Sequence, residues 1–127
     1  KIMKDSLSHL HLVCEDWKRE LLFMQDEIPV LKSRLSEVVS KNTATDVLKE
    51  VEHFENKFNI LRLHLDELLH DVNLKMNAIQ SQAIAKPNYI SVKMVESDAQ
   101  LEDLMHTNAI DFYDTKKTYY KFLSKVM

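Results

Sequence analysis

The sequence predicts an all-α fold, an elongated antiparallel up-down-up bundle of three long helices. Two observations carry this expectation. The 127 residues contain no glycine and only two prolines, whereas hairpins and tight turns draw on glycine for positive φ. Apolar side chains also recur at alternating four- and three-residue spacings along most of the chain, the repeat that keeps one stripe of a helix against its neighbours. An apolar share of 45% and a charged share of 29% fit one domain over residues 1–127.

The first helix is expected over about 2–41. Its seam is Met3, Leu7, Leu10, Cys14, Trp17, Leu21, Met24, Ile28, Leu31, Leu35 and Val38, which predicts coiled-coil-like packing. Pro29 removes one amide donor and crowds the carbonyl of Gln25, at a cost of about 3 kcal/mol in a helix interior. The repeat passes through it in phase, so a kinked continuous helix is expected.

The stretch "SKNTATD" supplies the first break, with Asn42 or Thr43 as cap and Asp46 completing a box with Thr43. The second helix, about 44–85, carries the seam Val47, Val51, Phe54, Phe58, Leu61, Leu65, Leu68 and Val72. Its phase slips at Lys75 and resumes with Met76 and Ile79. Pro87 disfavours helix at Lys86 and ends the element. A connection over 86–97 follows, whose "PNYISVKMVE" is rich in β-branched residues and reads as extended. Ser97 and Gln100 form a capping-box signature for a third helix over about 98–127. Leu101, Met105, Phe112, Tyr119, Phe122 and Val126 line it, and its acidic start and lysine-rich end match the helix macrodipole. The first two helices would each be roughly 60 Å long and the third roughly 45 Å.

A rod of three helices has a thin core, so apolar residues off the seams matter. Leu22, Phe23 and Val30 on helix 1, with Ile60, Leu63 and Leu74 on helix 2, form the candidate interaction face. Pairing about the loop sets Phe23 level with about residue 62, and Tyr119, Tyr120, Phe122 and Leu123 of helix 3 are placed to cover part of this face. A second subunit would cover the rest.

The histidines suggest a different chemistry. Glu-x-x-His occurs as Glu50 to His53 and Glu67 to His70, His11 and Glu15 stand four apart, and His106 and Asp111 five apart. Bundle metal sites of the ferritin-like and hemerythrin-like kinds use carboxylates and histidines pointing inward from several helices. The same pairing puts Glu15 opposite about residue 70. His11, Glu15, Glu67 and His70 are therefore the candidate ligands for iron, manganese or zinc, with Asp111 or Asp114 nearby. The phase of the seam argues against this set. With Val51 at position a, His53 and Glu67 fall at c and His70 at f, facing away from a core. His64 at g and His11 at e border the seam and are expected to be half-buried. No cofactor is predicted on the leading reading.

Cys14 sits on the seam and reads as a small core residue, and Trp17 as a core anchor. A lone cysteine forms no intramolecular disulfide, so a reducing compartment, the cytoplasm, is expected. No charged-then-apolar leader opens the sequence at Lys1. The longest apolar run, Leu21 to Met24, is far short of the roughly 20 residues that span a bilayer, so no membrane insertion is expected. A net charge of −3 lacks the positive footprint of a nucleic-acid binder, and "KKTYYK" is accounted for by the helix dipole and the core.

The stretches "DEIPVLKSRLSEVVSKNT" and "EVEHFENKF" resemble small uncharacterised all-helical proteins of Bacteroidetes bacteria. The resemblance covers about the first two helices and implies a helical hairpin with no assigned activity. The expected function is a non-enzymatic protein-interaction or self-association module, with a protein partner or a homodimer. The alternative is the metal-binding bundle.

Overall fold

The computed structural model describes residues 6–87 and 89–127. The protein is an all-α three-helix bundle, with α1 spanning Leu7–Lys41, α2 Thr45–Ala85 and α3 Val92–Val126, and no strand among the described residues. The expected start of helix 1 and the seam position Met3 lie outside the described residues.

Each helix forms where its spacing and its ends allow. Ser6 caps α1 by accepting from the His9 amide at 3.0 Å, which satisfies one of the donors left open in a first turn. α1 then runs through Pro29 without interruption. At its far end the Asn42 side-chain amide donates to the Val38 carbonyl at 2.9 Å. Asn42 therefore closes α1 and does not cap α2. The N-cap of α2 is Ala44, and no side chain bonds that end. The expected box of Thr43 and Asp46 is not formed. α2 is finished by the Lys86 amide donating to the Gln82 carbonyl at 2.8 Å.

The third helix departs most from expectation. It starts at Val92, so the predicted connection over 86–97 shrinks to a few residues and half of its β-branched run is helical. Three hydrogen bonds outweigh local propensity there. Ser91 accepts from the Met94 amide at 3.1 Å, and Lys75 of α2 donates to the Met94 carbonyl at 2.7 Å and to the Ser97 hydroxyl at 3.2 Å. Ser97 is therefore an anchor inside the helix and not its cap.

Lys75 corrects a second expectation. The seam of α2 does not slip; it runs Val72, Lys75, Ile79, with Lys75 only 7% exposed. The core is one cluster drawn from all three helices. At its centre Phe54, Phe58, Tyr119 and Phe122 pack with ring centroids 4.9–6.4 Å apart, distances at which aromatic pairs attract beyond their area burial. The Tyr119 hydroxyl donates to the Leu31 carbonyl at 2.5 Å and so ties α3 to α1. Cys14 is fully buried in the cluster, and Trp17 packs against it partly exposed.

Polar pairs flank the core. Gln25 donates to Asp66 and Lys32 to Asn59 between α1 and α2, Lys57 pairs with Asp111 between α2 and α3, and Lys116 pairs with Glu27 between α3 and α1. Lys32 also pairs with Glu55 at 2.9 Å, so the α1–α2 pairs set Phe23 level with about residues 64 to 68 and Glu15 with about residues 72 to 76. Both ranges begin two residues beyond the expected levels, residues 62 and 70.

Candidate functional site

A groove of about 930 Å³ lies between α2 and α3. From α2 it takes His64, Glu67, Leu68, His70 and Asp71. From α3 it takes Leu104, Thr107 and Asn108, with Ile110, Asp111 and Asp114 one to two turns further on. Leu68 belongs to the core, so the floor is apolar. The carboxylates stand at i, i+4 on α2 and i, i+3 on α3, spacings that set each pair on one face of its helix. Asp111 is held by the Lys57 ammonium at 3.0 Å. Glu67, Asp71 and Asp114 make no ion pair or side-chain hydrogen bond among the described residues.

Asn108 is 7% exposed, and its side-chain amide nitrogen has no acceptor among the described residues. Leaving such a donor unmade costs about 1–3 kcal/mol. The seam of α3 passes through it as Met105, Asn108, Phe112, Thr115 and Tyr119. The apolar residues alone left gaps at 108 and 115. Filling those gaps from the four-three spacing is the signal that finds Asn108 and Thr115 in the sequence.

The expected interaction face is distributed and not single. Leu22, Phe23, Val30, Ile60, Leu63 and Leu74 are all exposed. Phe23 and Val30 flank Glu27, whose partner Lys116 is on α3, so they border the α1–α3 side. Leu22 stands one turn from Gln25, whose partner Asp66 is on α2, so it borders the α1–α2 side. Ile60 and Leu74 stand one turn from Lys57 or from the groove residues His70 and Asp71 and border the α2–α3 side, whereas Leu63 stands one turn from Glu67 of the groove and one turn from Asn59 and Asp66, which bond α1, and so lies between the two sides. Helix 3 covers none of the six. Tyr119 and Phe122 are spent in the core, and Tyr120 is itself exposed. The helical rotation of about 100° per residue separates neighbours such as Leu22 and Phe23 onto different faces.

The four candidate metal ligands do not meet. Glu67 and His70 line the α2–α3 groove, where Asp111 and Asp114 join them, whereas His11 lines a separate cleft with Leu7, Leu12, Ile79 and Pro87. His11 stands 3.9 Å from Glu15 on its own helix. No group of three or more His, Cys, Asp or Glu side chains among the described residues is placed to hold a metal ion. His11 is half-buried; His64, expected to be so, is exposed, as are His53, His70 and His106.

A second polar cluster is internal. The Lys75 ammonium stands 3.9 Å from Asp98, too far for a hydrogen bond, and leaves the buried Asp98 Oδ1 without a donor. Burial pushes the Lys75 ammonium below the usual lysine range and the Asp98 carboxyl above the usual carboxylate range. Burial, and then the negative Asp98, push the Cys14 thiol up to about 11, so Cys14 is a thiol and not a thiolate nucleophile at neutral pH.

No protein-family model matches the chain, and neither a curated protein nor a solved structure matches it. No helix of the described residues is long and apolar enough to cross a membrane.

Proposed function

We propose that the chain is a non-enzymatic helical module that works through protein contacts, by self-association or by docking a partner. It is arranged as an up-down-up antiparallel bundle with α1 bent at Pro29. Three sets of pairs support the arrangement. Gln25 to Asp66 and Lys32 to Asn59 run in opposite senses along α1 and α2, as do Lys57 to Asp111 and Lys75 to Ser97 along α2 and α3. Glu27 to Lys116 and Leu31 to Tyr119 advance together along α1 and α3. A proline inside a continuous helix supports the bend. The buried Cys14 thiol suits a reducing compartment, and cytoplasm is the location proposed.

The observation that carries the function is a core closed by seam residues while large apolar side chains off the seams stay in water. Val30 is 68% exposed and Leu63 58%. At the α2–α3 groove such exposure is gathered, with exposed Leu104 and Ile110 in its lining, and gathered apolar exposure marks contact surfaces more often than scattered single residues do. The buried Lys75 ammonium and Tyr119 hydroxyl are engaged in holding helices together, which favours a scaffold over a catalyst.

Sedimentation velocity of the wild type, Phe23→Glu and Leu63→Glu tests the proposal. The expected result is a self-associated wild type, or one that binds a helical partner, with one of the two variants losing it. A wild type that stays monomeric and binds no helical peptide counts against the whole reading.

A further inference from the structure

We propose that the groove between α2 and α3 docks a basic amphipathic helix from a partner protein. The inference rests on the protein-contact reading above and names the partner's chemistry.

Charge supplies the first argument. Glu67, Asp71 and Asp114 stand at the groove without a cation among the described residues, beside an Asp111 that already has Lys57. A partner with lysine or arginine on both flanks meets carboxylates on both walls, and such complementarity sets encounter rate and orientation. Shape supplies the second. Buried Leu68 forms an apolar floor beside exposed Leu104, and the apolar surface continues past the groove along α2, from exposed Leu63 to exposed Leu74. Those two residues are separated by about 16 Å of helix, a length that suits an elongated occupant with apolar anchors at i, i+4 and i+7.

Asn108 supplies a third, independent argument. Its side chain lines the groove, and its buried nitrogen has no acceptor among the described residues, so a turn of the side chain toward the groove would present it to an occupant. A docked helix offers one, as a serine, threonine or glutamine oxygen among its apolar anchors. An occupant that satisfies the amide and the free carboxylates together is both cationic and acceptor-bearing, as a basic helix is.

Fluorescence anisotropy tests the proposal with a synthetic peptide of about 18 residues, near the length at which isolated helices become stable. It carries leucine on one face, lysine on both flanks and one glutamine among the leucines. The controls are a scrambled peptide of the same composition and one with every lysine replaced by glutamate. Saturable binding of the basic amphipathic peptide alone is expected, weakened by added salt and by about tenfold or more in Glu67→Lys/Asp114→Lys. Both positions are exposed, and circular dichroism of the variant checks that it folds.

Equal binding of the scrambled or the acidic peptide overturns the proposal, as does a double variant that binds like the wild type. Binding lost in Phe23→Glu but kept in the groove variant moves the contact to α1; it ends this inference and leaves the protein-contact reading standing. A wild-type dimer that Asp114→Lys dissociates, with no peptide bound, makes the occupant a second copy. A monomer that binds no peptide ends both.

Discussion

Tyr119 shows how a single residue does two jobs in this bundle. Its ring fills the aromatic centre, and its hydroxyl donates to Leu31 across to α1. Burial, the largest cause, pushes its phenol up to about 12, as it pushes the Cys14 thiol to about 11. Both folded values lie above the unfolded ones of 10.0 and 9.0. The folded chain therefore keeps protons that the unfolded chain releases, and the stability they contribute is complete below pH 9.0 and declines as pH rises through each window. An alkaline titration followed by circular dichroism is expected to show stability falling first from pH 9.0 and then more steeply from 10.0, by at most about 3 kcal/mol for each group. Cys14→Ala removes the first stage and Tyr119→Phe the second; an unchanged profile in both excludes these groups as the cause. The position of Tyr119 was legible as an apolar repeat. Its hydrogen bond was not, because Leu31 is distant in sequence.

At the scale of elements, the start of α3 is the instructive case. Local propensity reads 87–96 as extended, yet α3 begins at Val92. The deciding group is on another helix. Lys75 reaches across to the Met94 carbonyl and Ser97, and stands near Asp98. Removing one member of a buried charged pair strands the other, at a cost of about 3–5 kcal/mol. Lys75→Met is expected to destabilise by about 3 kcal/mol in urea unfolding, toward the low end because Asp98 is partly exposed. Adding Asp98→Ala is expected to restore part of the loss. Hydrogen exchange of the first turns of α3 is expected to rise more than that of α1. Equal rises throughout would deny Lys75 its local role. Asn108 belongs to the same lesson, since a strict spacing predicts that the position is buried but not that its amide lacks a partner.

For the whole molecule, the buried apolar side chains gather in one cluster where three seams converge, and the exposed off-seam groups are expected to be dispensable to stability. Phe58 is fully buried there. Phe58→Ala is expected to cost about 3–5 kcal/mol, whereas exposed Val30→Ser is expected to change stability by no more than about 0.5 kcal/mol. Denaturant unfolding of the two variants checks this contrast, and a large loss in Val30→Ser would mean that the off-seam residues serve the fold. The distribution of those residues over three sides also decides where function is sought. Among the described residues, the α2–α3 side combines apolar surface with unpaired carboxylates and a buried amide that lacks an acceptor.

The sequence by itself determined the helical class, the seams and the outward direction of most histidines. These depend on the period of one helix and on the absence of glycine, both local properties. It also brought Glu67, His70, Asp111 and Asp114 under one suspicion, and all four line the same groove. Only the tertiary structure decided that His11 and Glu15 stand apart from them, that the six off-seam residues face three ways, and that Lys75 is buried. Those outcomes depend on the rotation and register of one helix against another, which long side chains and buried partners set jointly and no single stretch of chain encodes.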